Sequence, residues 1–335
     1  MEASAPMMRL AVKVATWVAL WTALWVSAAP AWAAAADWRA EWPATDFTKR
    51  MVDLSEIRSG GPPKDGIPAI DDPQFAPVAE ASDLTPSEPV IALSIEGDTR
   101  AYPLRILTWH EIVNDTVGGV PVAVTYCPLC NAAIAFERQA NGRVLDFGTT
   151  GKLRHSDLVM YDRQTQSWWQ QYTGTAIVGE LAGLELKMLP VRIEAFERFL
   201  RRYPDGRVLV PSNPSLRPYG ANPYIGYDGT RVPFLYDGSF PEGIPPMAYV
   251  VAVGDEAWSL DLLRKKGQID AGDLQLTWEP GQNSALDAQF ISQGRDIGNV
   301  TVRRRGVSGS ADVPHHVTFA FVFHAFQPDG RLHIE

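Results

Sequence analysis

The chain has 335 residues, of which 46% are hydrophobic, and its formal net charge is −9. This length is sufficient to bury a core in one large domain or two small ones. The acidic balance argues against nucleic acid and against an anionic membrane surface as partners, because both carry negative charge themselves.

The N-terminus has the three-part pattern of a secretory signal peptide. Arg9 and Lys13 precede an apolar stretch at 14–29, which is short for a membrane span, and Ala31-Trp32-Ala33 offers a small-x-small cleavage site. We therefore predict that residues 1–33 are a signal peptide cleaved near Ala33. The mature protein is then periplasmic or secreted, with no stable membrane insertion. An uncleaved N-terminal anchor is the alternative.

Residues 34–88 are rich in Pro, Asp and Ser and show little periodicity, which predicts an extended arm that wraps onto the following domain. The main β-rich domain is predicted at 89–218. Apolar alternation there favours strands at 90–95, 100–102, 120–126, 132–138, 144–147, 158–162 and 167–172. Helical spacing favours a helix that begins at Pro103 and another over 193–203. Trp168 and Trp169 are neighbours on a predicted strand, so one is expected to face the core and the other the surface.

Two anchors in the main domain recur later in the chain. Val90-Ile91-Ala92-Leu93 resembles Val250-Val251-Ala252-Val253, and Phe199 with Pro204-Asp205-Gly206-Arg207 resembles Phe323 with Pro328-Asp329-Gly330-Arg331. We therefore predict a linker at 219–246 and a second, degenerate repeat at 247–335 that packs on the first. The predicted fold class is α+β, predominantly antiparallel β with a few short helices and a possible degenerate internal duplication.

The only two cysteines lie together in Tyr126-Cys127-Pro128-Leu129-Cys130. A Cys-x-x-Cys turn holds a metal, cycles between dithiol and disulfide, or forms a small structural disulfide. Predicted strands flank this turn on both sides, as in the knuckle of a zinc ribbon or rubredoxin. A thioredoxin-like site would instead open a helix, whose N-terminal dipole lowers the thiol pKa. The pattern therefore favours a metal site that needs two further ligands.

His110, in Trp109-His110-Glu111, and Met160 are the candidates to complete a site with Cys127 and Cys130. Zinc or copper is the expected ion, because thiolate and thioether ligands select soft metals. His110 as a hydrogen-bonded structural histidine is the alternative reading of that residue.

Two further functions stay open. One is a periplasmic thiol–disulfide oxidoreductase, in which Cys127 attacks and Cys130 resolves. The other is a non-catalytic binding or scaffold protein with a structural disulfide. The sequence does not decide whether the protein is an enzyme, and its partner would be an unidentified small molecule or protein. His155, Ser156 and Asp157 have the residue types of a nucleophilic triad, but no Gly-x-Ser-x-Gly elbow surrounds Ser156.

Several long motifs occur in a fixed order and resemble the bacterial family catalogued as domain of unknown function 3179. They are Ala101-Tyr102-Pro103-Leu104, Trp109-His110-Glu111-Ile112-Val113-Asn114-Asp115, Tyr126-Cys127-Pro128-Leu129-Cys130, Phe147-Gly148-Thr149-Thr150-Gly151 and Ser156-Asp157-Leu158-Val159-Met160-Tyr161-Asp162-Arg163. The likeness runs from about residue 68 to 207 and is loose past 219. It places the Trp-His-Glu segment and the cysteine turn in the family pattern and implies no activity.

Overall fold

A computed structural model describes residues 38–307 and 309–335. The predicted signal peptide at 1–33 lies outside these residues. The predicted class, mostly antiparallel β with short helices, is confirmed, and five small sheets form a propeller-like ring. Within the described ranges, no helix has the length and apolar character needed to cross a membrane.

The strands up to residue 210 are, in chain order, β1 (Ile57–Ser59), β2 (Gln74–Pro77), β3 (Pro89–Ile95), β4 (Asp98–Pro103), β5 (Ile112–Val117), β6 (Val120–Cys127), β7 (Ala132–Glu137), β8 (Gln139–Ala140), β9 (Arg143–Val144), β10 (Phe147–Arg154), β11 (Asp157–Asp162), β12 (Trp168–Gln170), β13 (Ala176–Val178), β14 (Lys187–Leu189), β15 (Arg192–Ala195) and β16 (Arg207–Val210). The later strands are β17 (Tyr249–Val253), β18 (Glu256–Ser259), β19 (Gln268–Ala271), β20 (Leu274–Glu279), β21 (Asn299–Gly306), β22 (Gly309–Asp312), β23 (His316–Phe319) and β24 (Arg331–His333).

Four seven-residue helices each follow directly on a strand: α1 (Leu104–His110), α2 (Phe196–Arg202), α3 (Leu260–Lys266) and α4 (Ala320–Phe326). The predicted helix over 193–203 begins three residues too early. Ile193 belongs to β15, where it pairs with Ile91 of β3. Sheet pairing decides the boundary, because the apolar spacing that defines the helix starts only at Phe196.

Two units of the chain have the same order of elements. One sheet runs β15-β3-β4-β16, with β2 added at its edge, and another runs β23-β17-β18-β24. The last pair is parallel in both sheets, β4 with β16 and β18 with β24, whereas the other pairs within these two runs are antiparallel. Each unit also carries a four-stranded sheet, β14-β7-β6-β5 in the first and β19-β20-β21-β22 in the second.

The helix that precedes the last strand of each unit ends in the same turn. The residue after α2, Tyr203, has φ −136° and ψ 69°, and the residue after α4, Gln327, has φ −135° and ψ 68°. Three residues further on, Gly206 lies against the ring of Phe199, and Gly330 lies against the ring of Phe323. The recurring Phe and Pro-Asp-Gly-Arg anchors therefore form equivalent structures.

An additional sheet separates β7 from β14 in the first unit and has no counterpart in the second. Its strand order is β1-β10-β11-β12-β13, so the N-terminal arm supplies the edge strand β1. Trp168 and Trp169 of β12 face opposite sides of this sheet, but both are buried, so the expected surface position is wrong. Trp168 packs on aromatic residues of the arm, and Trp169 packs on Phe147 in the main core.

Candidate functional site

The cysteine turn connects two strands, as predicted. Cys127 ends β6 and pairs with Ala132 of β7, and the backbone N–H of Cys130 donates to the Cys127 carbonyl at 3.2 Å. The turn closes through Asn131, which has a positive φ of 50°. Both thiols are free and buried. The strand ends therefore fix two sulfur atoms on the inside of one turn.

Asp157, the first residue of β11, brings a carboxylate to the two thiols. A carboxylate oxygen of Asp157 and the Sγ atoms of Cys127 and Cys130 all lie within 4.8 Å of one another. Asp157 Oδ2 accepts hydrogen bonds from Gln170 Nε2 at 2.6 Å and from the Tyr172 backbone N–H at 2.9 Å. Asp157 Oδ1 is buried and has no hydrogen-bond partner in the described part of the chain. One oxygen thus orients the carboxylate and leaves the other available as a ligand.

Ser156 presents its backbone carbonyl to both sulfurs. The Ser156 oxygen lies 3.9 Å from Cys127 Sγ and 3.6 Å from Cys130 Sγ.

Ser156 adopts φ 66° and its neighbour His155 adopts φ 54°, both in the left-handed region. Glu111 and Asn131 share this property, so four of the nine non-glycine residues with positive φ in the described ranges surround the thiols. Such conformations are costly and cluster at functional sites.

Glu111 is a second buried carboxyl beside the cluster. It follows the last residue of α1 and is held at φ 59° and ψ −32°. Burial, and then the negative charge of Asp157, raise the pKa of Glu111 to about 8. Its own charge contributes to the raised pKa of the Cys127 thiol, for which burial is the main cause. Glu111 also lines a cavity of about 400 Å³.

Within the described ranges, neither the Asp157 carboxyl nor the Glu111 carboxyl forms an ion pair with a basic side chain, and burial is the main influence on both and on the two thiols. Burial raises the pKa of Asp157 to about 6 and that of Cys130 well above its usual value. The nearest basic side chains of β10 are occupied elsewhere, since Lys152 pairs with Glu41 at 2.8 Å and Arg154 pairs with Glu56 at 2.6 Å. Buried acidic groups without compensation stay protonated or bind a cation.

Of the two other candidate ligands, His110 is hydrogen-bonded elsewhere, whereas Met160 lies in the same core as the cysteines. His110 Nδ1 is 2.7 Å from the Pro68 carbonyl and Nε2 is 2.8 Å from the Tyr219 hydroxyl. Because a carbonyl only accepts, Nδ1 carries the proton and Nε2 accepts from Tyr219, so neither ring nitrogen is free. Among the described residues, the cluster of ligating atoms contains Cys127, Cys130 and Asp157 without His110. Met160 pairs with Trp169 across β11 and β12 and packs in the same core as the cysteines.

Asp157 and Glu111 are the site residues that sequence reasoning missed. In the sequence, Asp157 stands out only as part of a possible triad with His155 and Ser156, and Glu111 only as a neighbour of His110. Both lie in motifs shared with the suspected family, and that membership is the signal in the sequence that points to them.

The family described as Protein of unknown function (DUF3179) matches residues 64–330. The match extends through the second unit and is longer than the range of about 68–207 expected from the motifs. No curated protein and no solved structure matches the chain. The matched range covers most of the sequence and contains the cysteine turn, Glu111 and Asp157. The chain therefore belongs to the protein family DUF3179, whose function is unknown.

Proposed function

We propose that Cys127, Cys130 and Asp157 bind a zinc ion. Two observations carry this proposal: the Asp157 carboxylate lies in one cluster with two free thiols, and its Oδ1 is buried without a hydrogen-bond partner among the described residues. A buried oxygen without a partner is costly, and a metal ion would satisfy it together with both sulfurs. The hydrogen bonds from Gln170 and Tyr172 to the other oxygen would hold the carboxylate in place, as second-shell partners commonly do.

The chemistry of this ligand set favours zinc over copper. Zinc accepts both cysteine sulfur and carboxylate oxygen, whereas Cu(I) prefers soft thiolate and thioether ligands. A site of Cys127, Cys130 and Met160 would suit Cu(I) instead. The hydrogen-bonded carboxylate beside the thiols is a hard ligand, and this argues for zinc.

Three protein ligands leave one position of a tetrahedral zinc ion open. Structural zinc sites are closed by four protein ligands, whereas catalytic sites keep one position for water or substrate. Glu111 and the cavity it lines lie next to the cluster. We propose that the fourth position faces Glu111, which would hold or transfer a proton there.

Thiol–disulfide exchange is the alternative. An attacking cysteine needs a thiolate, which basic neighbours or a helix N-terminus normally stabilise. Here the turn joins two strands, and burial raises the pKa of Cys127, the expected attacking thiol. A structural disulfide would close only a four-residue loop and so would stabilise the fold weakly.

Metal analysis tests the zinc proposal. Protein purified under reducing conditions without chelator should contain about one zinc per chain, as expected for a mononuclear site. Cys127→Ser and Asp157→Asn should each lose most of it, whereas Asp255→Asn, in the exposed turn between β17 and β18, should retain it. Far-UV circular dichroism checks that the variants fold. Zinc-free wild type, or full zinc in folded Cys127→Ser, would contradict the proposal.

The same preparation tests the redox alternative. Cys130→Ser removes the thiol that would release a mixed disulfide formed by Cys127. An exchange enzyme would therefore accumulate that mixed disulfide. A trapped partner together with low zinc would favour exchange. Two protected thiols and a full zinc content would favour the metal site.

We also propose that the protein is exported and that residues 1–33 are removed. The basic, apolar and small-residue segments of the N-terminus support this. The mass of the mature protein from its native host should correspond to cleavage near Ala33. A mass that corresponds to the full-length chain would contradict the cleavage proposal.

We infer that the units at 89–218 and 247–335 arose by internal duplication. Their shared strand order, their matching parallel edge pairs and their common turn after the helix support this. The segment 219–246 then links the copies.

A further inference from the structure

The cavity beside Glu111 is built mostly from apolar side chains. The cysteine turn contributes Leu129, β10 and β11 contribute Leu153 and Leu158, and the linker contributes Tyr224, Ile225 and Phe234. Its volume of about 400 Å³ falls within the range typical of small-molecule sites. Pockets of this size and composition usually enclose the apolar body of a ligand and leave orientation to a few polar groups.

The polar groups of this cavity are few, and their charges restrict the ligand. Its charged lining residues are Glu111 and Lys152, and its hydroxyl-bearing lining residues are Tyr224, Tyr227 and Thr230. The Lys152 ammonium is bound to the Glu41 carboxylate at 2.8 Å, so it is already neutralised. An anionic ligand would therefore meet no free positive side chain in the cavity walls. The two thiolates and the Asp157 carboxylate would also outweigh the charge of the proposed zinc ion, so burial of an anion would be costly. An uncharged molecule avoids this cost.

The linker places apolar side chains where the cavity meets solvent. Ile225 is 62% exposed and Phe234 is 49% exposed, although both line the cavity. Tyr227 fixes this wall to the cysteine turn, because its hydroxyl donates to the Leu129 carbonyl at 3.1 Å and accepts from the Phe234 N–H at 3.3 Å. The entrance is thus apolar and attached to the turn that carries the thiols.

We propose that this cavity binds a small, uncharged, largely apolar molecule that enters past Ile225 and Phe234 and directs one oxygen-containing group towards Glu111 and the metal. The orientation of the oxygen rests on the proposed zinc site. Binding of the apolar body rests on the cavity walls alone, so the two parts can fail separately.

A pair of fluorescent probes tests the apolar part. N-phenyl-1-naphthylamine is uncharged at neutral pH, and 8-anilino-1-naphthalenesulfonate has a similar body with an added negative charge. The uncharged probe should bind the wild-type protein and the sulfonate should bind more weakly. Phe234→Ser should weaken the uncharged probe by about fivefold or more, as expected for losing part of a phenyl contact.

Phe240→Ser is the matched control, since Phe240 is a similarly exposed linker phenylalanine that lines a different cavity. It should leave probe binding unchanged. Equal losses in both variants, no loss in Phe234→Ser, or tighter binding of the sulfonate would overturn the proposal.

A second comparison tests the orientation of the oxygen. Octanohydroxamic acid is neutral in solution and binds zinc as the hydroxamate, with its proton passing to Glu111 or to solvent. It should displace the uncharged probe better from zinc-loaded than from zinc-free protein, whereas octanamide should show a much smaller difference. Metal analysis of the same samples controls for zinc removal. If the purified wild-type protein contains no zinc and still binds the probe, the proposed metal site is refuted and the proposed apolar binding site is supported. Full zinc without the hydroxamate effect would refute the orientation alone.

Discussion

The Thr318 hydroxyl donates a 2.7 Å hydrogen bond to the backbone carbonyl of Cys130, although 188 residues separate the two in the chain. Beside it, the Asn131 side-chain amide donates to the Val317 carbonyl at 2.9 Å. Strand β23 of the second unit is therefore hydrogen-bonded to the cysteine turn of the first unit. The second unit thus supports the site, whereas the clustered ligating atoms of the described residues all come from the first unit.

Thr318→Val should destabilise the protein by about 1–3 kcal/mol, because the buried Cys130 carbonyl loses its donor while the side-chain shape is kept. Zinc should also dissociate faster, since the turn is less firmly held. Urea unfolding and zinc release to a chelator measure the two effects. Thr301→Val, at a partly exposed position of β21, should change stability by less than about 0.5 kcal/mol. Equal effects of the two substitutions would contradict the support role.

His110→Gln and Met160→Leu should both retain zinc. Both ring nitrogens of His110 are already hydrogen-bonded, and the clustered ligands are Cys127, Cys130 and Asp157. Elemental analysis of the folded variants, with Cys127→Ser as the depleted reference, decides the matter. Loss of zinc from either variant would instead support the ligands predicted from the sequence, in which His110 and Met160 complete the site.

Gly206→Ala and Gly330→Ala should destabilise the protein by similar amounts, about 1–3 kcal/mol, because an added methyl group overpacks a full core. A Cβ at Gly206 would lie 3.0 Å from the Phe199 ring, and one at Gly330 would lie 2.6 Å from the Phe323 ring. Gly229→Ala is the control, since a Cβ there meets nothing within 4 Å. Thermal unfolding compares the three. A neutral result at only one of the two core positions would argue against their equivalence.

The contribution of Glu111 to the stability of the zinc-free protein should fall as the pH rises from about 4.5 to about 8. Burial, followed by the charge of Asp157, raises the pKa of Glu111 from 4.5 to about 8. The folded state therefore keeps a proton that the unfolded chain releases, so this stabilisation is complete below pH 4.5 and is lost as the pH passes about 8.

Glu111→Gln should remove this negative contribution and make the slope of stability against pH more positive than in the wild type, and Glu80→Gln, at an exposed position, should leave the slope unchanged. Urea unfolding in the presence of a chelator, at several pH values from 5 to 8, measures the slope. An unchanged slope in Glu111→Gln would show that this carboxyl does not titrate as described.

Local pattern was enough to predict the turn that carries the thiols. Apolar alternation on both sides of Cys127 and Cys130 defines two strands, and the structure pairs them as a hairpin. Asp157 could not be placed in the same way, because it reaches the thiols through packing of a separate sheet. The burial of both Trp168 and Trp169 could not be predicted for a related reason. The arm that covers Trp168 has no apolar periodicity, so the sequence does not show that it packs there.

The first unit joins β6 to β7 through residues 128–131, whereas the second joins β20 to β21 through residues 280–298 and has no sheet corresponding to β10–β13. Grafting Cys-Pro-Leu-Cys between β20 and β21 would therefore supply two sulfurs but no carboxylate to face them. The proposed metal site is therefore not portable as a short motif. A descendant with two such sites would need to copy the extra sheet together with the turn, and also the part of the arm that packs on that sheet.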